Sequence, residues 1–296
     1  MSLHGDKRRG AELPWPVPPF MPNLKGARVA LLEARMTAEA SDLVRRFGGV
    51  PYAVPALREE PRPDEVPPFL DMLSARRFSL VIFLTGVGVT TLLRESERLG
   101  RLEEAVAALR ATSIACRGSK PIAALKRYGI TAQISAPEPY TTDELLGALN
   151  PIELRHTSVG IVHYGERHPG LADALRLRGA DIEELCPYVW LMPTDTRPLE
   201  VLARDLIDER IDAIAFTSQV QWRHLFRVAT DIGCSGELVE TLNRHTIVAA
   251  VGPVCAAALR ANGVTPDVLP AHPKLGSLIT ALADYVELFD DASIGL

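Results

Sequence analysis

Two stretches of the chain, Ala115–Ile134 (ACRGSKPIAALKRYGITAQI) and Ala249–Val268 (AAVGPVCAAALRANGVTPDV), share one pattern at an offset of 134 residues. Seven of the 20 positions are identical, among them two glycines and a shared Ala-Ala-Leu run. Each stretch has the pattern of a strand, a glycine turn, an alanine-rich helix, a glycine stop and a second strand. The chain therefore contains two copies of one βα unit.

Two further elements repeat at nearly the same offset. Phe83-Leu84-Thr85 corresponds to Phe216-Thr217-Ser218 at an offset of 133, and three small or apolar residues of a later helix also recur. Those three are Leu145, Ala148 and Leu149, which match Leu278, Ala281 and Leu282. Agreement across three elements favours a duplicated α/β domain over the chance similarity of unrelated βα units.

The rest of the chain keeps the same alternation of short apolar runs and helical segments, such as Ala38–Phe47. The predicted strands are Arg28–Leu32, Val50–Val54, Leu80–Leu84, Ser113–Cys116, Thr131–Ile134, Val159–Val162, Ile182–Leu185, Ala213–Phe216, Ile247–Val251 and Val264–Leu269. Short apolar strands that alternate with helices are typical of parallel sheets with right-handed crossovers. We expect two doubly wound, flavodoxin- or Rossmann-like domains.

Composition narrows the class of protein. A chain of 296 residues with 47% apolar side chains has enough length for two cores, and a net charge of −5 argues against general nucleic-acid binding. No apolar run is long enough to span a membrane, and no apolar segment follows the charged N-terminus. The four cysteines lie far apart without a CxxC pair, which disfavours a zinc site. These features indicate a cytoplasmic protein with reduced thiols and no membrane partner.

Two common α/β functions lack their sequence signatures. Gly86-Val87-Gly88 could begin a dinucleotide-binding loop, but Thr91 stands where the third glycine is required. A receiver domain needs an acidic pair after its first strand, whereas Glu33 stands alone there. The sequence thus disfavours both NAD binding and phospho-relay.

The order of the motifs resembles one family. A strand ending in Ala34-Arg35 is followed by a Phe-Thr-Ser-like strand end, a glycine turn before an alanine-rich helix, and a tyrosine after a late strand. Phe216-Thr217-Ser218 and the turn at Gly252 then repeat the middle of this order. Over residues 27–285 this order resembles the uroporphyrinogen-III synthase family.

The resemblance implies two lobes joined by two strand-like linkers, one lobe being discontinuous in sequence. On this chain the domains would be 27–54 plus 190–287, and 55–189 inserted between them, after a proline-rich N-terminal extension over 1–26. The crossings would fall near Val54–Leu57 and Cys186–Trp190, each of which contains a proline. The cleft between the lobes would face the carboxyl ends of the strands.

The resemblance also implies an activity. The family cyclises hydroxymethylbilane, a linear tetrapyrrole, with inversion of the last pyrrole ring. Water leaves to give an azafulvene cation, which is attacked at a substituted pyrrole carbon to form a spiro intermediate. No metal or organic cofactor takes part, and we expect a monomer. The protein then acts mainly by holding a flexible chain in a reactive conformation.

The resemblance assigns roles to residues of this chain. Tyr188 matches the family's tyrosine at the second linker, suspected of assisting water loss, and is the predicted catalytic residue. Backbone N–H groups at helix starts, hydroxyls and a few cations would bind the substrate's carboxylates, Arg117 adding charge. The predicted substrate-binding residues are Arg35, Thr85, Gly118, Ser119, Lys120, Tyr164, Thr217, Ser218, Gln219, Gly252 and Cys255.

Three positions depart from the family pattern. Cys255 and Pro121 stand where a threonine is usual, and the first Phe-Thr-Ser is reduced to Phe83-Leu84-Thr85. Each change removes a hydrogen-bond donor from the expected cleft. A second hypothesis therefore stays open. The protein would then be a non-catalytic, synthase-like module that binds a tetrapyrrole or has a regulatory role. Such modules are joined to a winged-helix DNA-binding domain in some bacterial proteins.

Overall fold

The structure, a computed structural model, describes residues 22–167 and 169–293. The proline-rich extension predicted over 1–26 lies outside these ranges except for its last five residues. In the described part, no helix is both long and apolar enough to cross a membrane.

The strands, in chain order, are β1 Arg28–Leu31, β2 Val50–Ala53, β3 Arg58–Pro61, β4 Leu80–Phe83, β5 Ser113–Cys116, β6 Ile134–Ser135, β7 Ser158–Val162, β8 Asp181–Leu185, β9 Tyr188–Leu191, β10 Ala213–Phe216 and β11 Ile247–Ala250. The helices are α1 Thr37–Arg46, α2 Val66–Ser74, α3 Gly86–Arg98, α4 Leu102–Arg110, α5 Ser119–Lys126, α6 Thr142–Ala148, α7 Pro169–Leu177, α8 Arg197–Ile207, α9 Gln219–Asp231, α10 Ser235–Arg244, α11 Pro253–Ala261 and α12 Leu275–Ser293. A short 3-10 turn precedes α2.

Two parallel sheets organise the chain. The first has four strands in the order β11-β10-β1-β2, and the second has five in the order β6-β5-β4-β7-β8. We call the four-stranded sheet with its helices the outer lobe and the five-stranded sheet with its helices the middle lobe. Both sheets are wholly parallel, as the alternation of apolar runs and helices predicts. The predicted fold class is confirmed.

Helices cover both faces of each sheet. In β10, Ile214 and Phe216 pack on one side with Trp222 of α9, whereas Ala213 and Ala215 face the opposite core. In β4, Val81 and Phe83 likewise belong to a different core from Leu80 and Ile82. A strand that is buried on both faces must be apolar at every position, which explains the unbroken apolar runs of β4 and β10.

The sequence repeat is a repeat of structure. Ala115 of β5 pairs in parallel with Ile134, and Ala249 of β11 pairs in parallel with Val268, each 134 residues further along the chain. The two sheets have the same strand order when β10 and β4 are taken as equivalent strands. In that comparison β11 corresponds to β5, and β1 and β2 correspond to β7 and β8. The outer lobe is therefore a permuted copy of the middle one, whose last two strands come first in the chain.

Two predicted strands are shorter than expected. The strand predicted over Val264–Leu269 is reduced to a single bridge at Val268, because Pro266 has no N–H to donate to a ladder. The strand predicted over Thr131–Ile134 is shifted and begins at Ile134.

A two-stranded antiparallel ribbon joins the lobes. Arg58 of β3 pairs with Leu191 of β9, and Pro61 pairs with Tyr188. These strands are the two strand-like linkers that the resemblance implies, and β3 begins just after the predicted crossing near Val54–Leu57. The domain limits of 27–54 plus 190–287 and 55–189 remain predictions.

Candidate active site

The carboxyl ends of the two sheets face one cavity of about 730 Å³. Ligands of open parallel sheets bind at this edge, so the cavity is the first candidate for a functional site. It is lined by the predicted residues Arg35, Thr85, Gly118, Ser119, Lys120, Tyr164, Thr217, Ser218, Gln219, Gly252 and Cys255, and by Arg117. The residues predicted to bind substrate thus lie together, while their roles remain predictions.

Four helix amino termini converge on this cavity, two from each lobe. The residues that precede α3, α5, α9 and α11 are Thr85, Gly118, Ser218 and Gly252, and all four line it. The first N–H groups of a helix have no partner inside the helix and carry a partial positive charge. The cavity therefore offers backbone donors to an anionic group from both sides.

The two glycines are needed for space rather than for an unusual backbone angle. Gly118 and Gly252 have extended backbones with φ of 172° and −179°. A Cβ atom on Gly118 would lie 3.2 Å from the Tyr140 ring, and one on Gly252 would lie 3.3 Å from Pro273. Larger residues would push these two loops away from the helix starts.

A hydrogen-bonded cluster lies on the outer-lobe side. The Thr217 hydroxyl donates to Oε1 of Glu33, which follows β1. The Gln221 amide group donates to Thr217 Oγ1 at 2.8 Å and to Glu33 Oε1 at 3.4 Å. Its carbonyl oxygen accepts from the Thr217 N–H at 2.8 Å. Gln221 thereby fixes the start of α9 and the Glu33 carboxylate together.

A second cluster lies where the ribbon meets the cavity. The Arg35 guanidinium donates to both carboxylate oxygens of Glu59 at 2.5 Å, and the Trp190 indole N–H donates to Glu59 at 3.1 Å. The same guanidinium lies 5.6 Å from the centre of the Tyr188 ring. Arg35 is thus neutralised and held in place by the linker strands.

Tyr188 is placed behind the cavity wall. It is 5% exposed and does not line the cavity, although its hydroxyl contacts the side chains of Thr85 and Arg35, which do. Burial raises the pKa of Tyr188 to about 12, so the phenol is neutral at ordinary pH and keeps its proton to donate. Its catalytic role remains a prediction.

Cations of the middle lobe face the cavity from the other side. The Arg117 guanidinium lies 4.8 Å from the centre of the Tyr164 ring, which in turn packs edge-on against Trp190 at 5.0 Å. Lys120 and, on the outer lobe, Lys274 are exposed and form no ion pair with any described residue. These two lysines are available to an anionic ligand.

Cys255 lies at the first turn of α11, where a helix terminus alone would favour a thiolate. Burial dominates instead and raises its pKa to about 12. The thiol is 3% exposed and donates to the Phe216 carbonyl at 3.7 Å. Cys255 therefore packs under the cavity as a neutral thiol and supplies no nucleophile.

Sequence reasoning missed two loops of the cavity wall. Glu138-Pro139-Tyr140 follows β6 and His272-Pro273-Lys274 follows the bridge at Val268, and all six residues line the cavity. The offset of 134 maps the first loop onto the second, so extending the repeat a few residues further would have found both. Glu59 and Trp190 were missed because a linker strand carries no such signal.

Together, fold and cavity define a bilobed α/β protein with a cleft between two parallel sheets that share one topology. The family model described as uroporphyrinogen-III synthase HemD matches residues 38–280. The chain belongs to the uroporphyrinogen-III synthase family.

Two relatives match most of the chain. A Bacillus subtilis protein described as uncharacterized protein YjjA is 35% identical over 269 residues, which cover 89% of this chain and 97% of that protein. A putative uroporphyrinogen-III synthase of Methanothermobacter thermautotrophicus is 29% identical over 249 residues, with coverages of 83% and 93%.

Solved structures show the same fold. A mutant uroporphyrinogen III synthase from the extremely thermophilic bacterium Thermus thermophilus aligns with a TM-score of 0.70 at 29% identity, covering 92% of this chain and 100% of that one. The uroporphyrinogen-III synthetase of Helicobacter pylori aligns with a TM-score of 0.53 at 16% identity, over 89% of this chain and 99% of that one, which is a likeness of fold alone.

Proposed function

We propose that this protein catalyses the cyclisation of hydroxymethylbilane to uroporphyrinogen III. Family membership supports the reaction. The observation that carries the proposal is the convergence of four helix amino termini, two from each lobe, on one cavity. A linear substrate with carboxylate side chains along its length can be held at both ends by such donors, which brings the ends together.

Ligand binding relies on local donors because the net charge of −5 gives no overall attraction for a polyanion. Lys120 and Arg117 attract carboxylates on the middle-lobe side, and Lys274 does so on the outer-lobe side. The backbone N–H groups at the starts of α5 and α11 add hydrogen bonds. Orientation, rather than bond chemistry by the protein, accounts for most of the acceleration.

Loss of the hydroxyl group needs a hydrogen-bond donor. The neutral Tyr188 phenol contacts the Thr85 side chain, and Thr85 lines the cavity. The Thr85 Oγ1 accepts from the Gly88 N–H at 3.0 Å, which fixes its position at the start of α3. In this proposal Thr85 donates to the leaving oxygen and Tyr188 supports it from behind.

A coupled assay tests the proposal. Hydroxymethylbilane is generated in situ by its synthase with and without this protein, and the oxidised porphyrins are separated by isomer. Catalysis predicts the inverted type III isomer in proportion to the protein added. Formation of only the type I isomer, the product of spontaneous closure, at high protein concentration would overturn the proposal.

The second candidate is a tetrapyrrole-binding module without turnover. The position of Tyr188 behind the wall favours it, as do Cys255 and Pro121 where the family has threonine. In the same assay this candidate predicts only type I product. Saturable quenching of the tryptophan fluorescence by uroporphyrin would then support binding, and no quenching would exclude this candidate too.

A further inference from the structure

The Glu33 carboxylate is fixed at the edge of the cavity, and no basic side chain of the described residues forms an ion pair with it. Glu33 follows β1 directly, is half-buried and lines the cavity. Its Oε1 accepts from the Thr217 hydroxyl and from the Gln221 amide. Thr217 lies just before α9 and Gln221 lies in its first turn, so a rigid element sets the position of the carboxylate.

The second oxygen of this carboxylate is free. Oε2 of Glu33 receives no hydrogen bond from the residues that the structure describes, and no basic side chain pairs with Glu33 there. Glu59, the neighbouring acidic residue of the cavity, is by contrast neutralised by Arg35 and held by Trp190. Glu33 therefore carries a negative charge that no basic side chain among the described residues balances, and only the donors around the start of α9 hold it.

Such a charge opposes the binding of a carboxylated ligand in its ground state. A carboxylate near other carboxylates raises their energy, and a half-buried position strengthens that effect. The charge becomes favourable only if a positive charge develops on the ligand during the reaction. A group that opposes the ground state and favours a charged transition state is a means of catalysis.

The proposed function contains that positive charge. The C–O bond of the hydroxymethyl group breaks with its electron pair on oxygen, which takes up a proton and leaves as water. The pyrrole nitrogen lone pair then spreads the resulting positive charge over the ring and the methylene carbon. The proton consumed here is returned when the terminal pyrrole carbon loses its own proton at ring closure.

We propose that the free Oε2 of Glu33 faces this pyrrole-centred cation and stabilises its formation, accepting a hydrogen bond from the pyrrole N–H. This inference rests on the proposed function and adds a catalytic residue to it. Thr217 and Gln221 act as positioning residues, because they hold Oε1 and so fix the carboxylate of a residue that lines the cavity.

Glu33→Gln tests the role of the charge. The variant keeps the size of the side chain and an oxygen to accept from Thr217, but it removes the negative charge. We expect kcat for type III formation to fall by about tenfold to a hundredfold, because one preorganised electrostatic partner of the transition state is lost. Affinity for uroporphyrinogen III, the carboxylated product, should be unchanged or tighter, which a purely structural role would not produce.

Two further variants complete the experiment. Glu33→Asp keeps the charge and should retain more of kcat than Glu33→Gln. If Glu33→Gln does not fold, Glu33→Ala removes the same charge and takes its place. Glu39→Gln, on the exposed side of α1 and outside the cavity wall, removes an equal charge and should leave kcat unchanged.

The outcomes are separable from those of the proposed function. If the unmodified protein forms no type III isomer, both proposals fail. If it does, an undiminished kcat in Glu33→Gln overturns the role of Glu33 alone. A loss of kcat in Glu33→Gln that is matched by an equal loss in Glu33→Asp, or by weaker product binding, also overturns it.

Discussion

Tyr188 and Thr85 form a pair in which only the smaller member reaches the cavity. The phenol ring is buried beneath the Arg35 guanidinium, and its hydroxyl contacts the Thr85 side chain. Any effect of Tyr188 on a bound ligand must then pass through Thr85 or Arg35, which both line the cavity. In the proposed function, the tyrosine that the family pattern indicates therefore supports another donor.

Replacing Tyr188 with phenylalanine tests whether Tyr188 supports Thr85 or only packs in the linker. The ring of Tyr188→Phe still fills its space, so the circular dichroism spectrum should match that of the unmodified protein. Turnover in the isomer-resolved assay should fall by about tenfold or more, because Thr85 loses the partner that orients its proton. Unchanged turnover would leave Tyr188 a packing residue of the linker.

The same variant should alter stability at high pH. Burial raises the pKa of Tyr188 to about 12 from its ordinary value of 10.0. Its contribution to the free energy of unfolding is full below pH 10.0 and is lost as pH rises through about 12, because the unfolded chain releases the proton first. Urea unfolding at several alkaline pH values should show a smaller loss of stability in Tyr188→Phe than in the unmodified protein. Equal losses of stability in the two proteins would contradict a buried Tyr188 hydroxyl with a raised pKa.

At the level of elements, the ribbon of β3 and β9 depends on one glycine. Gly165 has a left-handed φ of +64°, and a Cβ atom there would lie 2.0 Å from the Trp190 indole. The Gly165 carbonyl accepts a hydrogen bond from the backbone N–H of Trp190 at 2.6 Å. The glycine lets the loop after β7 lie flat on Trp190, whose indole N–H holds Glu59.

Gly165→Ala should therefore lower the free energy of unfolding by more than about 2 kcal/mol, through both overpacking and an unfavourable backbone angle. The shifted Trp190 should also release Glu59 and weaken turnover. Gly147→Ala is the matched control, since a Cβ there meets nothing within 4 Å and the residue lies within α6. The control should be neutral or slightly more stable in urea unfolding. Equal effects of the two variants would contradict the close contact with Trp190.

The elements that repeat are the ones that sequence predicts well. The buried runs of β4 and β10 and the glycine turns at Gly118 and Gly252 have a clear pattern, and they carry the four helix starts of the cavity. The resemblance predicts the ribbon only as two linkers. Its Glu59 and Trp190 come together through an antiparallel register that no local pattern encodes, so their hydrogen bond could not be predicted.

Across the whole molecule, one acidic residue connects the lobes. Glu166 follows β7 of the middle lobe and accepts from Arg223 at 2.5 Å and from Gln219 at 3.2 Å, both on α9 of the outer lobe. Its neighbour on the chain, Gly165, packs on the ribbon. Besides the ribbon, the polar contacts of Glu166 with α9 therefore connect the two lobes.

Arg223→Ala should loosen this arrangement without unfolding either lobe. The pair is partly exposed, so the free energy of unfolding should change by less than about 1 kcal/mol. The radius of gyration from X-ray scattering should increase, and it should increase in the unmodified protein at high salt for the same reason. Arg227→Ala removes an exposed ion pair with Asp231 on the same helix and should leave the radius unchanged. Identical scattering from all three proteins would show that Glu166 does not hold the lobes.

The permuted topology of the outer lobe also has a consequence for the order in which the chain folds during synthesis. The contact between the Arg28 N–H and Asp212 beside the β1–β10 pair spans 184 positions, whereas all strands of the middle sheet lie between Leu80 and Leu185. On the ribosome the middle lobe is thus complete before β10 exists. Closing so long a loop costs conformational entropy, and a folded insert reduces that cost by holding β3 beside β9. We expect the middle lobe to fold first and to bring the nascent chain back beside β1. The edge of β1 that pairs with β10 stays unpaired until β10 has been synthesised.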